Sequence, residues 1–109
     1  MPANAAAVPT ATPAGFVAAG SGSYRLEGPL TFDSAPALRP LGLQLLGAAG
    51  TALVIDLQGV PAADSAGLAL LIDWLAMARA QGSTLHYVGV PETLRALAAL
   101  SEVGPLINA

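Results

Sequence analysis

The chain has 109 residues, enough for one domain on the usual scale of about 100–200 residues each. Its net charge is −3, with four arginines and no lysine, so no basic patch exists to neutralise phosphates. Nucleic acid and anionic lipid headgroups are therefore not expected partners, and the absence of cysteine excludes a disulfide framework and a thiolate metal site.

The apolar fraction is 54%, but much of it is alanine, so leucine carries most of the core potential. Residues 1–15 are Ala/Pro/Thr-rich and hold too few large apolar groups to offset the entropy of ordering. They read as a disordered tail ahead of a single domain over residues 16–109. No charged residue precedes Arg25, and Pro2, Pro9 and Pro13 interrupt the apolar stretch, so a secretory signal is not expected. No run of about 18 apolar residues escapes Gly, Pro or charge, so no membrane span is expected either.

From Phe16 the pattern becomes that of a folded domain. Phe16 to Ala19 and Tyr24 to Gly28 read as strands, joined by the turn residues Gly20-Ser21-Gly22-Ser23. Leu38, Leu41 and Leu45 recur at helical spacing, with Asp33 or Ser34 as cap and Pro36 in the first turn. Pro40 conflicts with that helix, which is expected to start late or bend there. Ala52 to Leu57 is a short apolar run with turn residues around it, as in a strand buried on both faces. A loop spans Gly59 to Asp64, and Gly67 to Ala80 is the longest uninterrupted helical pattern, with Gly82 at C′. Thr84 to Val88 is a further strand, and Pro91 to Ser101 a third helix that Gly104-Pro105 ends. The order β-β-α-β-α-β-α predicts an α/β domain: a small mixed sheet, a leading hairpin plus parallel strands, with about three helices packed on it.

The stretch Asp64-Ser65-Ala66-Gly67-Leu68 follows the central strand and opens the longest helix. In an open sheet, the loop beyond a strand's carboxyl end is the usual place for a site. Asp64 or Ser65 can cap the helix, and Gly67 permits close backbone packing. A plain capped turn needs nothing more.

Together with Val54-Ile55-Asp56-Leu57 and Val60, this stretch resembles the signature of STAS domains. That family includes anti-sigma-factor antagonists and domains of anion transporters. The similarity covers roughly Tyr24 to Leu106 and is densest from Leu53 to Val90. Gly67 to Leu75, then Ala78-Arg79-Ala80-Gln81-Gly82, look most like one branch: the small cytoplasmic STAS subunit of the bacterial Mla phospholipid-transport ABC system (MlaB-like). Gly89-Val90-Pro91 and Leu94 to Ala98 continue the likeness. The resemblance implies a non-enzymatic accessory subunit that binds the transporter's ATPase. It implies a cytoplasmic location, peripheral to the inner membrane through that partner, and no cofactor.

Anti-sigma antagonists are phosphorylated on the hydroxyl that directly follows the motif aspartate, which here is Ser65. The transport branch carries Ser or Thr there too, so Ser65 does not separate the branches. Many antagonists have a second hydroxyl next, where this chain has Ala66. The alternative implied is thus an anti-sigma-factor antagonist whose binding to a kinase-like anti-sigma factor is switched by phosphate on Ser65.

The long helix carries two apolar stripes at about 100° per residue. Leu68, Leu71, Ile72 and Leu75 form one, and Leu70, Trp74 and Met77 the other. A single-layer domain buries only one against its sheet, so the second must face either another helix or a partner; a partner is expected, with Trp74 as anchor. The expected partner-binding residues are therefore Asp64, Ser65, Ala66, Gly67, Leu70, Asp73, Trp74 and Met77. The only histidine, His86, lies in a strand with no motif placing a carboxylate or serine beside it. No nucleophile, base and orienting group can be assembled, so no catalytic residue is expected. Asp56 and Asp64 lack the further acidic neighbours a metal site needs, and Asp56 more simply supports its loop. Arg79 and Arg95 suit helix ends or rim ion pairs.

Overall fold

The computed structural model describes residues 15–48 and 52–107. The chain forms β1 (Phe16–Ala18), β2 (Ser23–Glu27), α1 (Ala35–Ala48), β3 (Ala52–Gly59), α2 (Ser65–Ala80), β4 (Thr84–Val88), α3 (Glu92–Leu100) and α4 (Gly104–Ile107). The four strands make one sheet in the order β1-β2-β3-β4. β1 pairs antiparallel with β2, while β2–β3 and β3–β4 are parallel. The expected α/β architecture is present, with its leading hairpin and its helical crossovers.

Most of residues 1–15, expected as a tail, lie outside the described residues. Gly15, the last residue of that stretch, is described, and its carbonyl accepts from the Glu27 N–H at 2.8 Å. The last helix does not end the chain's structure at Gly104-Pro105. Those residues open α4, whose Ile107 is buried in the core. A proline in a first turn forfeits only an N–H that has no intrahelical partner, so Pro105 starts this turn as readily as it stops the previous one.

Burial alternates along the central strands. Leu53, Ile55 and Leu57 on β3 and Leu85 and Tyr87 on β4 are buried, while Ala52, Gln58, Thr84, His86 and Val88 are exposed. Period-two alternation puts these sets on opposite faces. The strand expected to be buried on both faces is therefore buried on one.

α2 runs along the covered face. Leu68 and Leu71 are buried, and the Tyr87 hydroxyl donates to the Leu71 carbonyl at 2.7 Å. The helix ends in a Schellman motif: the Ser83 N–H donates to the Ala78 carbonyl and the Gly82 N–H to that of Arg79. Gly82 has φ +74°, the conformation the motif requires at C′.

α1 covers the second stripe of α2, which overturns the expectation for Trp74. The indole is 0% exposed. It packs at a tilt on Phe16, with ring centroids 5.9 Å apart, and its Nε1 donates to the Arg39 carbonyl at 3.3 Å. Leu70 is 5% exposed, and Met77 is half-buried against the core. Sequence reasoning counted too few elements to cover this stripe, and α1 does so because it is continuous. It begins at Ala35 and passes through Pro40 without interruption. The hydrogen bond lost at Pro40 is offset by burial of Leu38, Leu45 and Leu46 on the same helix.

Candidate functional site

The loop after β2 and the loop after β3 run side by side. The Gly28 N–H donates to the Gly59 carbonyl at 3.1 Å, and the Leu30 N–H to that of Ala62 at 2.8 Å. The Asp64 N–H returns a bond to the Leu30 carbonyl at 3.2 Å, and Leu30 bridges Ala63 in parallel. This short extension of the β2–β3 pairing brings Thr31-Phe32-Asp33 beside the opening of α2. The Ser34 hydroxyl closes the turn, accepting from the Thr31 N–H at 2.9 Å and donating to the Pro29 carbonyl at 2.8 Å.

Asp64, not Ser65, is the N-cap of α2. Its extended backbone (φ −136°, ψ −170°) turns the carboxylate back over the first turn. Oδ1 accepts from the Ala66 N–H at 2.9 Å and the Gly67 N–H at 3.2 Å. Oδ2 accepts from the Phe32 N–H at 3.0 Å. The Phe32 bond, with those to Gly67 and Ala66, holds the carboxyl below its ordinary range, against an opposing desolvation. Gly67 is forced by packing, since a Cβ there would lie 2.0 Å from the Leu30 carbonyl oxygen. Ser65 takes the first helical position and is exposed.

Next to Ser65 a groove of about 380 Å³ runs between the first halves of α1 and α2. Ala66, Ala69, Leu70 and Asp73 line it from α2, and Ala35, Pro36 and Arg39 from α1. Phe32 closes one end and is 75% exposed, the most exposed aromatic among the described residues. At the other end the Arg39 Nε donates to the Asp73 Oδ2 at 2.7 Å. Of the expected site residues, Asp64, Ser65, Ala66 and Gly67 cluster at the opening of α2, and Leu70 and Asp73 line the groove. Trp74 lies beneath it, and Met77 is a full turn beyond Asp73 and outside the lining. Phe32 and Arg39 were missed. A lone aromatic among the turn formers Thr31, Asp33 and Ser34 was the available signal for the first.

The remaining polar residues stand apart. Asp56, expected to support the loop after its strand, instead bonds within β3, with Oδ1 accepting from the Gln58 N–H at 2.9 Å. His86 is exposed on β4, opposite Val54, and lines a separate cavity of about 370 Å³ with Arg79. Among the described residues, no three His, Cys, Asp or Glu side chains gather where they could hold a metal ion. The site can present backbone, an apolar groove and a hydroxyl; it assembles no proton-transfer set.

A family model described as "Mlab, STAS domain" matches residues 19–108. The chain belongs to the STAS family. The STAS domain also resembles solved structures. A sulfate transporter family protein from Wolinella succinogenes is 21% identical, with 84% of this chain and 74% of that one covered, at a TM-score of 0.63. The Bacillus cell fate determinant SpoIIAA in its phosphorylated form is 18% identical, with 84% and 86% covered, also at 0.63. A murine anion transporter, Slc26a9, is 17% identical over 73% of this chain and 14% of its own, at 0.60. At these identities the likeness shows that the STAS fold is shared. No curated protein sequence matches the chain. No helix among the described residues is long and apolar enough to cross a membrane.

Proposed function

We propose that this STAS domain is a non-catalytic accessory subunit that binds the cytoplasmic ATPase of a phospholipid-transport ABC system. The observation that carries the reading is the match of residues 19–108 to the Mlab family model. The site supports it in kind: Ser65 is exposed at the opening of α2, and the adjoining residue Ala66 lines an apolar groove with the exposed Phe32, features suited to protein contact. Binding to one folded state of the ATPase stabilises that state by mass action, so no chemistry is required of the subunit. The domain would then sit at the cytoplasmic side of the inner membrane through its partner.

Co-expression of the chain with the transporter ATPase from the same cell tests this. The expected result is a complex that survives size-exclusion chromatography and raises the melting temperature of the ATPase. Two separate peaks with unchanged melting would refute the reading. Exposure of Ser65 at the start of α2 favours a second reading, an anti-sigma-factor antagonist switched by phosphate on Ser65. Phosphate-affinity electrophoresis of protein from cells separates the two: a shifted band that Ser65→Ala abolishes supports the switch.

A further inference from the structure

We infer that the outer edge of β4 takes an extended peptide with an apolar residue two positions ahead of an aspartate or glutamate, whose carboxylate pairs with Arg79. β4 is the last strand of the sheet. A strand directs its N–H and C=O groups alternately to its two sides, so part of the β4 backbone points away from β3. Residues 85–88 make no backbone hydrogen bond beyond the β3 ladder among the described residues. Natural edges are blocked by proline, charge or a bulge. β4 reads Thr-Leu-His-Tyr-Val, with no proline and no Asp, Glu, Lys or Arg, and its register with β3 is unbroken from Thr84 to Val88. The opposite edge, β1, is three residues long and offers less backbone to pair with.

The cavity of about 370 Å³ lies at this edge. Leu85 and His86 both line it, and neighbours along a strand point to opposite faces, so the space straddles the side of β4. Leu75 and Arg79 of α2 and Leu106 of α4 form its other walls. β3 and β4 are parallel and joined through α2, so α2 runs back against β4. Arg79 therefore stands near the start of β4, and Leu75 further along it. The two are about 6 Å apart along the helix axis at 1.5 Å per residue. Residues i and i+2 of a strand share a face and lie about 6.7 Å apart. A peptide strand beside β4 thus sets one apolar side chain against Leu75, Leu85 and Leu106, and the side chain two positions away at Arg79. Antiparallel addition, slightly the more stable, puts the apolar residue first.

Charge selects that second side chain. Arg25 is paired with Glu27 and Arg39 with Asp73, and Arg95 lines neither cavity. The Arg79 guanidinium has no acceptor among the described residues, and no acidic residue lines its cavity. Nor is it needed to cap its helix, because the carbonyls of Met77, Ala78 and Arg79 already accept from the N–H groups of Gln81, Ser83 and Gly82. Five N–H donors in a fixed fork are therefore left for a carboxylate. A second copy of the chain pairing through its own β4 would bring none, since that strand holds no Asp or Glu.

The test is a nuclear magnetic resonance titration of the isotope-labelled full chain. The probe is a short peptide of threonines, acetylated and amidated at its ends, with a central leucine and a glutamate two positions after it. The expected result is saturable shifts of the β4 amides. Affinity should fall more than tenfold when the peptide's glutamate is replaced by glutamine, and equally for Arg79→Gln, an exposed position where glutamine keeps the helix. Arg95→Gln, the same loss of charge away from the cavity, should bind as wild type does. The inference is overturned if the glutamate peptide gives no saturable shift, or if the glutamine peptide binds wild type equally well. Shifts of the β4 amides on diluting the chain alone would give the edge to a second copy. Equal shifts with acetate would reduce the site to a simple anion site. Either result also overturns the peptide.

Discussion

The indole of Trp74 occupies the space where a side chain at Gly42 would stand. A Cβ on Gly42 would lie 2.1 Å from the Trp74 Cε2 and 2.5 Å from its Nε1. The one helical position of α1 without a Cβ at this crossing is thus matched to the largest side chain of α2. The second apolar stripe of α2 is thus largely buried inside the domain, and the surface proposed for a partner lies along the N-terminal half of the helix.

Trp74→Ala is accordingly expected to destabilise the fold by about 3–5 kcal/mol, the range for a large buried aromatic. Gly42→Ala is expected to cost about 1–3 kcal/mol by overpacking the same contact. Urea titration followed by circular dichroism reads both. Wild-type midpoints in either variant would mean that α1 and α2 do not meet in this way.

The two residues at the opening of α2 are predicted to behave differently. Asp64→Ala removes the cap and leaves the Phe32 N–H without its partner, so the melting temperature should fall by about 4–8 °C, as for a typical lost cap in a small domain. Ser65→Ala touches an exposed hydroxyl outside the cap and should change stability by no more than about 0.5 kcal/mol. Equal losses in the two variants would return the capping role to Ser65.

Asp64 also sets a pH dependence. Its folded pKa is depressed below the ordinary 3.8, chiefly by the Phe32 N–H. The unfolded chain therefore binds the proton first as pH falls, and the stability contributed by the carboxylate is present above that value and lost below it. Asp64→Asn, which still accepts hydrogen bonds but does not titrate, should flatten the acid limb of the melting temperature against pH. An acid limb identical to wild type would show that Asp64 does not couple to folding.

Ser65 is expected to bear on binding rather than on folding. An acidic group at a first helical position is tolerated locally, since a helix N-terminus favours anions. Ser65→Glu should leave the circular dichroism spectrum native. It should weaken partner binding more than tenfold, about 1.4 kcal/mol, by placing a charge that must be desolvated at the contact. Wild-type affinity in this variant would place the contact elsewhere on the domain.

Sequence alone determined what depends on neighbours along the chain. The order of elements through α3 followed from hydrophobic period, and the end of α2 from Gly82, whose αL conformation is a local requirement. The placement of Asp64 and Ser65 at the start of a helix followed from capping chemistry, although two adjacent candidates could not be told apart until their backbones were seen. Tertiary structure decided what depends on distant segments meeting. Asp64 reaches Phe32 across 32 residues, Trp74 reaches Arg39 across 35, and Arg39 pairs with Asp73 across 34. The first needs the loops after β2 and β3 paired and the other two need α1 laid against α2, and a stripe of leucines does not say which other helix will cover it. Gly42 was the residue that made the covering feasible, yet a glycine in a helical pattern carries no sign of what will fill the space it leaves. Phe32 reversed the usual expectation for an aromatic: the paired loops hold its backbone at the rim, and the residue is 75% exposed.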